Sequence, residues 1–217
     1  MNRKERHEIN IFSNHEIQNL EAISKHEEKL KTIEYHFAKI MEALGLKLDN
    51  PSLKETPKRV AKMYINEVFK GLNEKNFPSI SFFENVSSYR EMILVDNIKV
   101  YSYCEHHFVP FFGKAAVAYI PKDRVIGLSK INRIVQFYAS KPQIQEKLTV
   151  EIGEKLKILL KTDDIAIHIE ANHLCVASRG VGDENSYTKT NFFSGKFLKE
   201  KEKSRFLNSI NKTKLLI

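Results

Sequence analysis

The chain has 217 residues, 42% hydrophobic and 29% charged, enough for one substantial core with a smaller attachment and ordinary for a globular protein. Its apolar runs are too short to span a bilayer, and its polar start, Met1-Asn2-Arg3-Lys4-Glu5-Arg6-His7-Glu8, lacks the pattern of a signal peptide, so the expected location is cytoplasmic with no membrane partner. The net charge is +8, but seven Lys/Arg against two Glu between Lys196 and Ile217 concentrate it in the tail, which argues against a uniformly basic nucleic-acid surface.

Residues 1–28 are polar and aperiodic and read as a poorly ordered extension. Residues 29–90 read as a helical segment. There Leu30, Ile33, Phe37, Ile40 and Leu44 recur at steps of three and four, predicting one helix that stops at Gly45. Thr56-Pro57 opens a second helix, with Thr56 as N-cap and Gly71 as its end. Val60, Ala61, Tyr64, Ile65 and Val68 share one side of it; Arg59, Lys62 and Asn66 share the other, either a wet face or one that meets an anion.

From Met92 the period becomes two. Met92–Val95 and Ile98–Cys104 predict a β-hairpin turning at Asp96-Asn97, and Lys114–Ile120 another strand. Ser129 is expected to cap a helix running to about Ala139. Pro142 starts a longer one with Ile144, Leu148, Ile152, Leu156 and Leu159 on one face. Ile165, Ile167 and Ile169 alternate in a strand that runs on towards Cys175, and Thr188–Ser194 is a last strand. Residues 196–217 form a basic helix or tail containing Phe206 and Ile210. This order predicts an α+β fold over residues 91–195, an antiparallel sheet with helices on one face.

The two cysteines of the chain each sit beside histidine: Cys104-Glu105-His106-His107 and His173-Leu174-Cys175. In a reducing compartment such cysteines serve a metal better than a disulfide, and thiolate with imidazole suits Zn²⁺. On a strand, His173 and Cys175 point the same way; Cys104 and His107, three apart at a strand end, grip the same ion through a turn. With His106 that makes more candidates than a closed four-ligand site needs. Three donors leave a place for water, and spare histidines suit proton transfer. His168 reads as a structural or surface residue.

Ser129-Lys130-Ile131-Asn132-Arg133 begins a helix whose N–H groups and two cations could seat a phosphate, and Arg179 lies four residues beyond Cys175. Arg59 and Lys62 would add contacts if their helix, or a neighbouring subunit's, packs nearby. So many cations suit a triphosphate. Gln145-Glu146 falls in the first turn of the next helix, where a carboxylate either complements the dipole or accepts the paired N–H groups of guanine.

These segments resemble the GTP cyclohydrolase I family. The resemblance is carried by Cys-Glu-His-His-Phe at 104–108, by Gly127-Leu128-Ser129-Lys130-Ile131-Asn132-Arg133, by Gln143-Ile144-Gln145-Glu146-Lys147-Leu148-Thr149, and by His173-Leu174-Cys175 with Arg179-Gly180. Glu55 to Tyr64 and Ala118-Tyr119-Ile120-Pro121-Lys122 extend it, so that it runs in order from about Leu30 to Gly195. It implies a tunnelling fold, a ββααββ sheet unit that closes into an oligomeric barrel, here a decamer of two pentameric rings, preceded by an N-terminal helical segment. It implies zinc-dependent hydrolysis of GTP to 7,8-dihydroneopterin triphosphate and formate, the first step towards folate or tetrahydropterin. It assigns the metal to Cys104, His107 and Cys175, and proton transfer to His106 and His173. Guanine falls to Glu146 with Gln145, and the triphosphate or ribose to Ser129, Lys130, Arg133 and Arg179. Arg59 and Lys62 would reach the triphosphate from a neighbouring subunit. The segments Val176-Ala177-Ser178 and Asn185 to Thr190 depart from the family pattern without touching a proposed ligand. Two rivals fit fewer residues: a pterin- or deazapurine-processing enzyme of the same fold, and a zinc-stabilised binding module. No regulatory protein partner is legible.

Overall fold

Leu30, Ile33 and Phe37 recur at helical spacing because they line the half-buried side of a long helix, α1 (Asn14–Ala43). The computed structural model describes residues 14–213, with side chains from Ile23 to Ile210. Residues 1–13 of the expected extension lie outside this range, and residues 14–28 are helical. Past Ala43 the chain reverses at Gly45, φ +80°, where the Gly45 N–H bonds back to Glu42 O at 2.9 Å and Leu46 N–H to Met41 O at 3.0 Å. Ile40 and Leu44 are exposed; Met41 carries the burial instead.

The second helix, α2 (Thr56–Met63), starts one residue earlier than expected: Glu55 is its N-cap, and Thr56 is already helical. Pro57 and Ala61 are buried while Lys58, Arg59 and Lys62 face outward, the two-sided character its sequence carries. A single π-helical turn, Tyr64–Val68, follows before Gly71. Residues up to Glu67 form one compact unit with α1 packed on α2, and residues from Val68 form a second.

In the second unit, β1 (Phe82–Glu84) pairs with β4 (Arg124–Ile126) as a small ribbon. The main sheet contains β2 (Ile93–Cys104), β3 (Pro110–Tyr119), β5 (Pro142–Gln143), β6 (Ile165–His173) and β7 (Thr188–Phe193), in the order β5-β2-β3-β6-β7. Every pairing is antiparallel except β2 with β5. Asp96-Asn97 is not a hairpin turn. Both flanks pair with β3, Val95 with Val117 and Ile98 with Ala115, so the two residues form a bulge in one continuous strand. Asn97 takes φ +54°, its backbone N–H donates to Asp96 Oδ1 at 2.6 Å, and Lys114 Nζ donates to Asn97 Oδ1 at 3.0 Å.

Alternation divides the sheet into two faces. Ala115, Val117 and Tyr119 with Ile165, Ile167 and Ile169 pack under α3 (Leu128–Ala139) and α4 (Gln145–Leu160), through Ile131, Ile134 and Val135 of the first and Leu148, Ile152 and Leu156 of the second. Ala116, Ala118 and Ala166 point the other way. One end of that second face is covered by Phe197 and by Phe206 and Ile210 of α6 (Glu200–Thr213), so helices are not confined to one face. Two expected starts also move. Gly127, not Ser129, caps α3, and Pro142 begins the short β5 because Gln143 is still paired with Cys104, leaving α4 to start at Gln145. Among the described residues no helix is long and apolar enough to cross a membrane.

Candidate functional site

The β2–β3 connection is a five-residue turn whose sequence, Glu105-His106-His107-Phe108-Val109, carries the histidines. Cys104 N–H bonds to Val109 O and Phe108 N–H to Cys104 O, both at 2.9 Å. That closure puts Phe108 at φ +54°, an uncommon conformation for a bulky residue. Across the sheet, β6 ends at His173 and the chain enters a helical turn, α5 (Leu174–Ala177). Cys175 is therefore not on a strand, and the turn separates it from His173.

The result is a three-donor group. Cys104 Sγ, His107 and Cys175 Sγ offer ligand atoms that all lie within 4.8 Å of one another, with Cys104 buried, Cys175 half-buried and His107 exposed. Two thiols and an imidazole from remote segments could bind a metal ion. His106 Nδ1 lies 3.9 Å from Cys104 Sγ, beside the group. Burial pushes the Cys175 thiol up, and the neighbouring Cys104 thiol pushes it further; the Arg179 guanidinium pulls the other way.

His173 belongs to a different environment. It is the cross-strand partner of Phe111, and the two rings stack with centroids 4.6 Å apart and planes 9° from parallel. Its Nε2 is 2.7 Å from Gln145 Oε1, at the first residue of α4. Burial lowers its pKa below the usual value, and the Glu146 carboxylate raises it. Gln145 is buried, whereas Glu146 is exposed, so the adjacent pair points in two directions. The N-terminus of α4 is held against the turn by Glu105 N–H to Gln143 O at 3.0 Å and by a Lys147–Glu105 ion pair at 3.7 Å.

Cys104, His106, His107, Gln145, Glu146, His173, Cys175 and Arg179 thus gather at one end of the sheet. Ser129, Lys130 and Arg133 do not join them. Ile126 N–H bonds to the hydroxyl of Tyr119 at the far end of β3, while Lys141 O, just past α3, accepts from Ser102 near Cys104. α3 therefore starts at the far end and runs back, and its first turn stands about 15 Å along the helix axis from its last. Arg59 and Lys62 lie on α2, in the other compact unit.

Sequence reasoning missed three supporting residues. Phe111 lies ahead of the expected strand Lys114–Ile120 and gives no signal in the sequence; β3 starts at Pro110 and includes it. Glu105 carries no signal beyond its place between ligand candidates. Asn172 is buried and donates to Glu184 O at 2.9 Å and Ser186 O at 3.3 Å, pinning the loop after Arg179 to β6.

A profile of the GTP cyclohydrolase I family matches residues 33–211. The chain belongs to the GTP cyclohydrolase I family. "GTP cyclohydrolase 1" of Actinobacillus pleuropneumoniae serotype 5b (strain L20) is 52% identical over 181 residues, which cover 83% of this chain and 83% of that protein. The protein of the same name from Haemophilus ducreyi is 51% identical over 181 residues, again 83% of each chain. That of Mannheimia succiniciproducens is 48% identical over 190 residues, 87% of each. The stretch shared with GTP cyclohydrolase I includes every residue placed in the site above.

Proposed function

We propose that this chain hydrolyses GTP to 7,8-dihydroneopterin triphosphate and formate in the cytoplasm, using Zn²⁺ held by Cys104, His107 and Cys175. The observation that carries the reading is the meeting of those three donors beside Glu146 and His173. Tetrahedral zinc with bonds of about 2.0–2.3 Å sets its donors about 3.5 Å apart, and these lie within 4.8 Å, so a small contraction suffices. When bound, zinc supplies a Lewis acid and lowers the pKa of a water to about 7.

The chain's own residues do the rest. Glu146, exposed at the start of α4, accepts two N–H groups from the guanine edge and turns C8 of the purine towards the three donors. His173 or His106 gives a proton to N7 as water adds at C8, and the imidazole ring opens. A second hydrolysis frees formate, and the ribose chain rearranges to close the pterin ring. Arg179 lies close enough to Cys175 to act on its thiol and serves the phosphate chain. Ser129, Lys130 and Arg133, at the far end of the sheet, serve it from a neighbouring copy, as do Arg59 and Lys62. This division of labour supports a homo-oligomer, which we read, with the family resemblance, as a barrel of tunnelling-fold subunits in two pentameric rings.

The test is incubation with GTP, followed by fluorescence of the oxidised pterin and an assay for formate. Cys175→Ser is expected to lose both zinc, read by atomic absorption, and turnover. Undiminished formate release by the metal-free variant would refute the assignment.

A further inference from the structure

Gln145, only 1% exposed, has both ends of its carboxamide engaged. Its two Nε2 hydrogens are shared among Ile169 O at 3.0 Å, Thr188 O at 3.0 Å and Thr190 Oγ1 at 3.1 Å, and its Oε1 faces His173 Nε2 at 2.7 Å. Two of those acceptors are peptide carbonyls, which have no proton to give. Turning the amide over would set Oε1 against both carbonyl oxygens with no proton between them, an expensive arrangement in a buried site. The hydroxyls agree with this orientation. Thr149 Oγ1 donates to Gln145 O at 2.7 Å, which leaves Thr190 to supply the proton of the 2.7 Å Thr149–Thr190 bond and to accept from Gln145 with a lone pair.

The orientation of Gln145 dictates that of His173. Oε1 only accepts, so the shared proton must sit on His173 Nε2. A neutral imidazole carries one N–H, which places the remaining lone pair on Nδ1. The ring cannot exchange its nitrogens freely, because it is stacked on the fully buried Phe111.

We propose that Gln145 is a positioning residue: locked by β6 and β7, its carboxamide holds the Nε2 proton of His173, fixes the tautomer whose lone pair is on Nδ1 and sets the orientation of that ring. This rests on the reading of His173 as a proton carrier in GTP hydrolysis, and it replaces the guanine contact implied for Gln145, whose polar atoms are turned inward.

The test uses zinc-loaded enzyme labelled with ¹⁵N at histidine, with the His173 resonances identified by their loss in His173→Asn. Solid-state ¹⁵N spectra at about pH 8, where an ordinary histidine is neutral, are expected to show a protonated Nε2 and a bare Nδ1. In Gln145→Met both tautomers appear, and kcat falls about 10–100-fold while the KM for GTP changes less than about threefold. Thr190→Val removes one lock but keeps Oε1, so the second tautomer appears weakly and kcat falls less. A parent spectrum with the proton on Nδ1 overturns the proposal whatever the variants do. So does a Gln145→Met enzyme with raised KM and unchanged kcat, the signature of a guanine contact, or a Thr190→Val enzyme with neither change. A parent that releases no formate from GTP sinks the functional reading alone, since the spectra still decide which nitrogen is protonated.

Discussion

Gly113→Ala tests how tightly the two halves of the site are joined. Gly113 on β3 faces Ala171 on β6, and an added Cβ would overlap Glu170 O, standing 2.6 Å from Ala171 Cα and 2.8 Å from the Glu170 carbonyl carbon. These are backbone atoms of the neighbouring strand, so no side chain can swing aside. The strands must part locally by about an ångström, and overpacking of this kind costs about 1–3 kcal/mol. Losing one or two ladder hydrogen bonds at about 1 kcal/mol each brings the expected loss to about 2–5 kcal/mol. Urea denaturation at fixed protein concentration, with and without bound metal, measures it. The damage should reach the site, because Phe111 and His173 form the next cross-strand pair of the same orientation and β6 leads directly to Cys175. Zinc affinity, read by chelator competition, should fall about tenfold as the two thiols move apart. A variant within about 0.5 kcal/mol of the parent would refute the account of strand contact, since that is the ordinary scatter of surface substitutions.

Three further outcomes follow from other parts of the molecule. Burial raises the Tyr119 pKa above its usual 10.0, so the neutral phenol contributes stability that is complete below about pH 10 and lost as pH rises through the folded value. Tyr119→Phe should cost about 1 kcal/mol near neutrality by removing the bond from Ile126 N–H; thermal melts should show that gap narrowing above about pH 10, and a constant gap would contradict the sign. Phe206→Ala should cost about 3–5 kcal/mol in chemical denaturation, since the ring is fully buried between Phe193 and Phe197; a loss below about 1 kcal/mol would mean that α6 is not part of the core. Glu146→Ala should lose GTP selectivity while keeping zinc, and equal turnover of GTP and ATP by the parent would count against Glu146 as the guanine anchor.

Much of the fold was legible because its elements obey local rules. The odd-numbered β6 residues from Ile165 to Ile169 alternate as a strand must, and Leu148, Ile152 and Leu156 keep helical spacing under α4. The misreadings share a cause. Asp96-Asn97 has turn chemistry, but whether such a pair reverses the chain or bulges depends on which strand its flanks meet, and both meet β3. Pro142 has the composition of a helix start, yet its neighbour Gln143 finds a partner in Cys104 first. Cys175 continued an alternating pattern that the backbone abandons at His173.

For the site, spacing alone pointed to a metal-capable group: the chain's two cysteines each sit beside histidine. The meeting of Cys104, His107 and Cys175 out of five candidates required the turn at Phe108, the helical turn after His173, and a register across β2, β3 and β6 that brings those ends to one end of the sheet. The inward aim of Gln145 and the outward aim of Glu146 required the docking of α4 on β6 and β7. Residue type is intrinsic to the sequence and decides what a group can bind or carry. Which groups meet depends on backbone partners far along the chain, whose pairing lowers the free energy only once the whole sheet has formed.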